Sequence, residues 1–356
     1  MASRNGIPAP QHRVTIRDIA QALNISHSTV SRVLSGWQGG SISDATRQRV
    51  VEWSRRLGYT PNSSARALVT GKTGNIALFT PSLEERTGPH FARMLDAVER
   101  RSAVLGYRLL VCGQIEALRG SGLADGLIVL GAPDLVDGAA LSPALHKVHV
   151  CHLSTPPDHL RNIICWSDFD GTRQGTEFLI AMGHRHILGV WGNIAPPPSP
   201  RGAKVEGHRA AMAAHGLVAR ERFGAPSSDQ VRAGYLLMAQ CLREAPEVTA
   251  VVARNDYLAV GCLQAVSEAG LKVPGDVSIL GYNDTILAQY AAPPLSSVRT
   301  PIAAAGELAV ELLHARLQDG AVDIPGRVLG TEVTDRGSCA PPRPGPRGKA
   351  TRGRRG

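Results

Sequence analysis

Apolar residues near the amino terminus recur at helical spacing and are separated by residues typical of helix ends. Thr15, with an acidic residue three positions later, resembles a capping box and predicts the start of a first helix. Asn24 tolerates left-handed backbone and predicts its end, and Ser26 is a suitable N-cap for a second helix. A third helix is predicted to begin at Ser43 and to stop at Gly58, so that three short helices share one small core.

From residue 75 onward, short apolar runs alternate with amphipathic stretches. This alternation is typical of doubly wound parallel sheets with helices on both faces, whose ligands bind beyond the carboxyl ends of the strands. The sequence therefore predicts an all-α head followed by a larger α/β body. The predicted strands are 76–79, 108–112, 126–130, 148–151, 187–191, 250–253 and 278–281. The predicted helices between them include 91–105, 171–182, 203–215, 232–242 and 257–270.

The two chain ends lack apolar periodicity and are rich in Pro and Gly, with Asn in the first and Arg in the second. We expect a disordered leader over 1–13 and a disordered basic tail over 340–356. Between them, the predicted boundaries are 14–60 for the head, 61–74 for a hinge helix and linker, and 75–339 for the body.

The net charge of +9 is unevenly distributed along the chain. Residues 1–70 contain nine Lys and Arg against three Asp and Glu, and residues 341–356 contain six Lys and Arg and no acid. The intervening body is therefore mildly acidic. A basic head on an acidic body indicates that nucleic acid binds the head, and the basic tail is a second candidate contact.

Several functional classes are disfavoured by the sequence. No apolar run is long enough to span a membrane and no secretion signal is recognisable, so we expect a cytoplasmic protein. The six cysteines include no C-x-x-C pair, which fits a reducing compartment. His149, Cys151 and His152 do not form a metal site, because a strand sends His152 to the opposite face from the other two and no second cluster completes the set. No catalytic motif is recognisable either, so neither an enzyme nor a bound cofactor is expected.

Motifs in the head resemble those of the lactose/galactose repressor (LacI/GalR) family of transcriptional regulators. These motifs are Thr15–Ala20, Ser26–Leu34, Thr46–Val50, Gly58–Asn62 and Ala65–Leu68. Further matches lie in the body, at Asp170–Arg173, Met182–Ile187, Asn255–Asp256, Gly270–Pro274 and Gly281–Asp284. The resemblance implies a helix-turn-helix head and a two-lobed, periplasmic-binding-protein-like sensor for a small-molecule effector.

The resemblance also implies that the second helix enters the major groove of operator DNA. Arg32 would bind O6 and N7 of a guanine, His27 would donate to a base acceptor, and Ser28 would read a base weakly. The hydroxyl and amide groups predicted to contact phosphates belong to Thr15, Thr29, Ser31 and Asn62. The alternative for each of these residues is a solvated helix face or a helix cap.

The segment 61–69 matches the hinge of the family, which implies a helix that forms on operator DNA. Leu68 would insert between base pairs in the minor groove, and Ala65 is small enough for two such helices to approach each other. A plain linker is the alternative. Because one head makes few base contacts, we expect a homodimer on palindromic DNA.

Family positions place the effector site at Asn255, Asp256 and Trp166, and Trp191 is a second candidate for an apolar face against a sugar ring. Asn255 and Asp256 would alternatively only cap a helix. Lys204 replaces an Arg of many sugar-binding members, and Asn283 replaces an Asp. These two changes predict a more electropositive cleft that favours an acidic sugar derivative over a neutral sugar.

The sequence leaves two alternative functions to consider. One is a regulator with a vestigial sensor that binds DNA without an effector. The other is a solute-binding protein, which would lack the head motifs and carry a secretion signal. The sequence shows the reverse pattern.

Overall fold

The computed structural model describes most of the chain, which divides into two compact units, one up to Thr73 and one from Gly74. Backbone alone is described at 152, 153 and 319. None of the helices in the described part is long and apolar enough to span a bilayer. The described residues are 14–35, 37, 39, 42–60, 67, 70–80, 88–118, 122–131, 141, 145–153, 161–192, 202–224, 229–319 and 325–343.

Three helices form the first unit and begin at the predicted caps. They are α1 (Ile16–Leu23), α2 (His27–Leu34) and α3 (Asp44–Arg56). The Asp18 carboxylate accepts hydrogen bonds from the Thr15 backbone N–H and hydroxyl at 2.7 and 2.8 Å. Asn24 ends α1 with a φ of 53°, as predicted. The Ser26 hydroxyl accepts from the Thr29 N–H at 3.1 Å, and the Ser43 hydroxyl accepts from the Thr46 N–H at 3.3 Å.

The core of this unit is small because each helix contributes only a few side chains. Ile19, Val30 and Val50 are fully buried at its centre, one from each helix. The partly buried Trp53 and Leu34 pack against them. Burying the helix faces in this way leaves the polar face of α2 free for other contacts.

The first sheet of the body contains six strands in the order β11-β5-β4-β3-β1-β2, all paired in parallel. After the strand Arg108–Cys112, residues Ile115–Leu118 form one turn of 3₁₀ helix. The strands are β1 (Asn75–Phe79), β2 (Arg108–Cys112), β3 (Gly126–Leu130), β4 (His146–Leu153), β5 (Ile163–Ser167) and β11 (Arg327–Val328).

The second sheet has the order β12-β10-β9-β8-β6-β7, and only its edge strand β12 pairs antiparallel. The two sheets confirm the predicted two-lobed α/β architecture. The strands are β6 (Ile187–Gly192), β7 (Arg220–Phe223), β8 (Ala250–Ala253), β9 (Ser278–Asn283), β10 (Ser296–Arg299) and β12 (Glu332–Thr334).

Helices cover both sheets, and the last long helix returns to the first lobe. There Ile302–Asp319 packs on the helix Pro89–Val104 and on strands β3 and β4. Each lobe is therefore assembled from segments that are distant in sequence. The helices of the body are α4 (Pro89–Val104), α5 (Asp168–Ala181), α6 (Ala203–Ala214), α7 (Gln230–Glu244), α8 (Asp256–Glu268), α9 (Ile286–Tyr290) and α10 (Ile302–Asp319).

Glycines allow two helix pairs of the second lobe to approach each other closely. A Cβ on Gly261 of α8 would overlap the backbone carbonyl of Val231 in α7, and one on Gly234 would overlap that of Leu258. Gly207 of α6 meets the Phe169 carbonyl of α5 in the same way. At these positions even one methyl group lacks room.

The described chain continues to Arg343, three residues past the predicted start of the tail. The buried His184 hydrogen-bonds the Ala340 carbonyl at 2.9 Å, and Arg343 forms an ion pair with Asp276 at 3.2 Å. These contacts attach residues 340–343 to the second lobe.

His208 is fully buried between α5 and the second sheet, where its ring meets the Trp191 indole edge-to-face at a centroid distance of 5.6 Å. Burial disfavours the imidazolium and lowers the pKa of His208 from 6.5 to about 4. The unfolded chain binds a proton at His208 more tightly than the folded protein does. The contribution of this group to the free energy of unfolding is therefore fully present above pH 6.5 and is lost as pH falls toward 4.

We expect acidification from pH 7 to pH 5 to cost about 2 kcal/mol through His208. Urea unfolding of the wild type and of His208→Gln at both pH values measures this loss, and the variant should show a shallower pH dependence. His186→Gln is the matched control because His186 is exposed. Equal pH slopes for His208→Gln and the wild type would contradict the prediction.

Candidate functional site

Helix α2 exposes the side chains that were predicted to read DNA. His27, Ser28, Ser31 and Arg32 are exposed, whereas Val30 and Val33 of the same helix are buried. Thr15, at the start of α1, is also exposed. The polar face of α2 therefore carries a cation, an imidazole and hydroxyls, which is a suitable set for DNA bases and phosphates.

The hydroxyls around the start of α2 also hold its N-terminus in place. The Ser26 hydroxyl lies 2.8 Å from the hydroxyls of both Ser28 and Thr29, and Thr29 is half-buried. Capping and phosphate contact are compatible roles for such groups, so their predicted DNA contacts stay predictions. The hinge residues Asn62, Ala65 and Leu68 lie outside the described residues.

In the body, polar side chains meet near the carboxyl ends of β5, β8 and β9. The Lys204 ammonium lies 3.6 Å from the Asp168 carboxylate and 3.7 Å from the centroid of the Tyr282 ring. Tyr282 donates its hydroxyl to Asp168 at 2.9 Å, and Lys204 donates to the Arg254 carbonyl at 3.3 Å. Desolvation lowers the pKa of Lys204, an effect that Asp168 opposes. We refer to Asp168, Lys204, Tyr282, Arg254, Gln230 and Asn255 as the polar cluster.

Asn255 belongs to this cluster and also caps α8. Its side-chain oxygen accepts a hydrogen bond from the Leu258 N–H at 3.0 Å, and its side-chain nitrogen donates to the Gln230 side-chain oxygen at 2.5 Å. Arg254 donates to the same Gln230 oxygen at 3.1 Å. The capping alternative therefore holds for Asn255, whose amide nevertheless remains part of the cluster.

Asp256, predicted to contact an effector, is fully buried and its carboxylate binds protein groups. One oxygen accepts from the Thr285 N–H and hydroxyl at 2.6 and 2.8 Å, and the other accepts from Ser297 at 2.7 Å. Burial raises the pKa of Asp256, and these hydrogen bonds oppose the shift. In this structure Asp256 braces the segment after β9. The neighbouring Asn283 ends β9 with a φ of 93° and is half-buried.

Neither tryptophan presents an open ring face for a sugar. Trp166 is 2% exposed in the core of the first lobe, and Trp191 is fully buried in that of the second. The sequence argument used the family position of Trp166 and the apolar ring of Trp191, and neither reveals how many neighbours cover the side chain. The segments that follow β1, β3, β4, β6 and β7 include 81–87, 132–140, 154–160, 193–201 and 225–228, which lie outside the described residues.

Sequence reasoning missed the roles of Asp168 and Tyr282. Asp168 lies in none of the matched motifs, and Tyr282 was named only as part of the motif 281–284. Lys204 and Asp168 are far apart in sequence, so their ion pair has no local signal. The Asp168 carboxylate offsets the charge of Lys204, one of the two residues from which an electropositive cleft was predicted.

Comparison with known proteins supports both units. Residues 15–62 match the model for bacterial regulatory proteins of the lacI family, and residues 176–339 match that for a periplasmic binding protein-like domain. The HTH-type transcriptional regulator DegA of Bacillus subtilis is 33% identical over 308 residues, covering 82% of this chain and 87% of DegA. The ribose operon repressor of Escherichia coli is 28% identical, with 91% of this chain and 99% of the repressor covered.

Among solved structures, the lac repressor dimer bound to operator and the anti-inducer ONPF superposes with a TM-score of 0.76. It is 27% identical, and the match covers 92% of this chain and 100% of that one. Head and body thus occur in the same order in a protein that binds operator DNA.

Proposed function

We propose that this chain, which belongs to the lacI family of bacterial regulatory proteins, binds a palindromic operator as a homodimer and represses transcription under the control of a small-molecule effector. The observation that carries the proposal is the exposed polar face of α2, with Arg32 in its last turn. DegA and the ribose operon repressor regulate transcription, and such a regulator acts at the chromosome. We therefore place the protein in the cytoplasm.

On the operator, α2 lies in the major groove with Arg32 on a guanine and His27 on a neighbouring acceptor. Ser28 lies close to a base edge, and Thr15, Thr29 and Ser31 contact phosphates together with Asn62. Leu68 inserts into the minor groove where the two hinge segments meet at Ala65.

Selection from a pool of palindromic DNA followed by gel-shift titration tests this role. We expect a single preferred palindrome that binds at least about 10³-fold more tightly than a scrambled duplex. Equal affinity for both duplexes would contradict sequence-specific regulation.

An exposed apolar pair on α9 supports the homodimer. Ile286 and Tyr290 are 50% and 82% exposed, and their spacing of four places them on one face of the helix. Exposed apolar side chains that adjoin each other are typical of protein interfaces. A two-fold axis would bring this patch against its copy in the partner.

We expect the double change Ile286→Glu and Tyr290→Glu to convert the dimer to a monomer, because four carboxylates would then face each other across the axis. Analytical ultracentrifugation at several concentrations measures the change in mass. Val218→Glu is the matched control, since Val218 is 81% exposed but lies elsewhere. A dimer that persists in the double variant would place the interface on another face.

The polar cluster supports a sugar as the effector. A neighbouring ammonium and carboxylate supply the donor and the acceptor that a pair of sugar hydroxyls requires. Asn255 directly follows Arg254, whose carbonyl accepts from Lys204. Because Asp168 balances the charge of Lys204, this ion pair favours a neutral sugar at its own position. An acidic sugar derivative would have to displace Asp168 from Lys204.

Thermal-shift titration with matched neutral sugars and their acid derivatives tests the effector class. A ligand at 100 times its Kd stabilises the folded state by about 2.7 kcal/mol. We expect the neutral sugar of each pair to raise the melting temperature at a lower concentration than its acid derivative. Lower concentrations for the acid would instead support the charge argument from the sequence, and no shift with any member would support an effector-independent sensor.

A further inference from the structure

Beside the DNA-reading face of α2, the head carries a tryptophan in an otherwise Gly-rich loop. The Arg32 guanidinium lies over the Trp37 indole, 5.1 Å from the ring centroid. Trp37 is 39% exposed, so the stack lies at the surface with Arg32. The spacing is that of a cation–π pair, in which the face of the ring attracts the cation.

Trp37 is itself fixed from two sides. The backbone N–H of Trp37 donates to the Arg32 backbone carbonyl at 3.0 Å, which attaches the residue to the end of α2. Its own carbonyl accepts from the Arg47 guanidinium at 2.6 Å, which attaches it to α3. The backbone of Trp37 is thereby attached to both helices, to α2 through the Arg32 carbonyl and to α3 through the Arg47 side chain. The position of the residue does not depend on the stack alone.

Gly39 leaves the space that the indole occupies. A Cβ at this position would overlap the six-membered part of the Trp37 ring. Three features therefore contribute to the position of the ring beneath Arg32. They are the indole itself, the hydrogen bonds to the Trp37 backbone, and the absence of a side chain at Gly39.

We propose that Trp37 is a positioning residue that holds the Arg32 guanidinium ready for its guanine and so contributes to operator selectivity. This inference rests on the proposed function, in which Arg32 contacts a base. A free arginine side chain loses rotamer freedom when it binds. Stacking on the ring confines the planar guanidinium before DNA arrives, and its fork must be oriented to bind O6 and N7 together.

The test is the ratio of Kd values for scrambled and selected palindromic DNA, measured for the wild type, Trp37→Ala and Trp37→Phe. We expect Trp37→Ala to lower the ratio about two- to fivefold per head, or about four- to twenty-fivefold for a dimer. Trp37→Phe should keep most of the ratio because a phenyl face also binds a cation.

A double-mutant cycle with Arg32→Ala separates positioning from other roles. If Trp37 acts through Arg32, Trp37→Ala has no further effect on the ratio in the Arg32→Ala background. Replacing the contacted guanine by 7-deazaguanine, which lacks N7, should weaken wild-type binding more than binding of Trp37→Ala. An equal loss from Trp37→Ala in both backgrounds would overturn the inference.

Gly39→Ala provides an independent variant if Trp37→Ala fails to fold, because it displaces the ring and retains the tryptophan. Circular dichroism of each protein checks the helices. A lower ratio for Arg32→Ala but an unchanged one for Trp37→Ala and Gly39→Ala would overturn the role of Trp37 alone. An unchanged ratio for Arg32→Ala would overturn both this role and the proposed base contact of Arg32.

Discussion

The Arg32→Ala protein is expected to lose about 1–3 kcal/mol of operator discrimination per head, and about twice that for a dimer. The Arg32 side chain is exposed on α2, so its removal leaves the buried core of Ile19, Val30 and Val50 unchanged. Binding to scrambled DNA should weaken only through the lost charge. Titrations of both duplexes at one fixed salt concentration measure the two effects.

Arg49→Ala is the matched control for this variant. Arg49 is exposed on α3 and carries the same charge, but it does not lie on α2. Its removal should weaken binding to operator and scrambled DNA by similar factors. Equal operator-to-scrambled ratios for Arg32→Ala and Arg49→Ala would remove Arg32 from the set of base-reading residues.

Replacing Gly261 by Ala is expected to destabilise the body by about 3 kcal/mol, at the upper end of the range for overpacked cores. The new methyl group would overlap the Val231 carbonyl and lie 2.6 Å from the Tyr235 nitrogen, so α7 and α8 must separate. Backbone atoms cannot rotate away as a side chain can. The loss of packing should extend to Leu258 and Cys262, which are fully buried on α8.

Chemical denaturation followed by circular dichroism measures this loss, with Gly330→Ala as the control. Gly330 is exposed and a Cβ there would meet no atom within 4 Å, so the same substitution should change stability little. Similar midpoints for Gly261→Ala and the wild type would show that the two helices can separate at low cost.

Local chemistry accounts for most of what could be predicted from the sequence. The caps Thr15, Ser26, Ser43 and Asn255 begin helices because the groups that they bind lie three residues away. Most central strands are continuous apolar runs, which both sheets bury, although one such run, Ile163–Ser167, was not predicted. The central strand Ser296–Arg299 is mixed in polarity. Edge strands such as Arg220–Phe223 and Arg327–Val328 are short and mixed in polarity, so no run identifies them.

The effector site was harder to predict because its geometry depends on contacts between distant residues. The pairing of Lys204 with Asp168, and of Asp256 with Thr285 and Ser297, each joins separate elements. A motif can indicate that such residues lie near a strand end. It cannot show which of their atoms already bind protein groups, and that decides what a ligand can contact.

The return of α10 to the first lobe has a consequence for how the protein is made. A ribosome releases Asn75–Phe79 early, but the last helix that packs on this sheet is completed only at Asp319, and strand Arg327–Val328 follows it. The second sheet has five of its six strands by Arg299. During synthesis, the lobe that begins first is therefore completed only after most of the other lobe has been made. Its apolar strands stay incompletely covered until the last long helix has been synthesised.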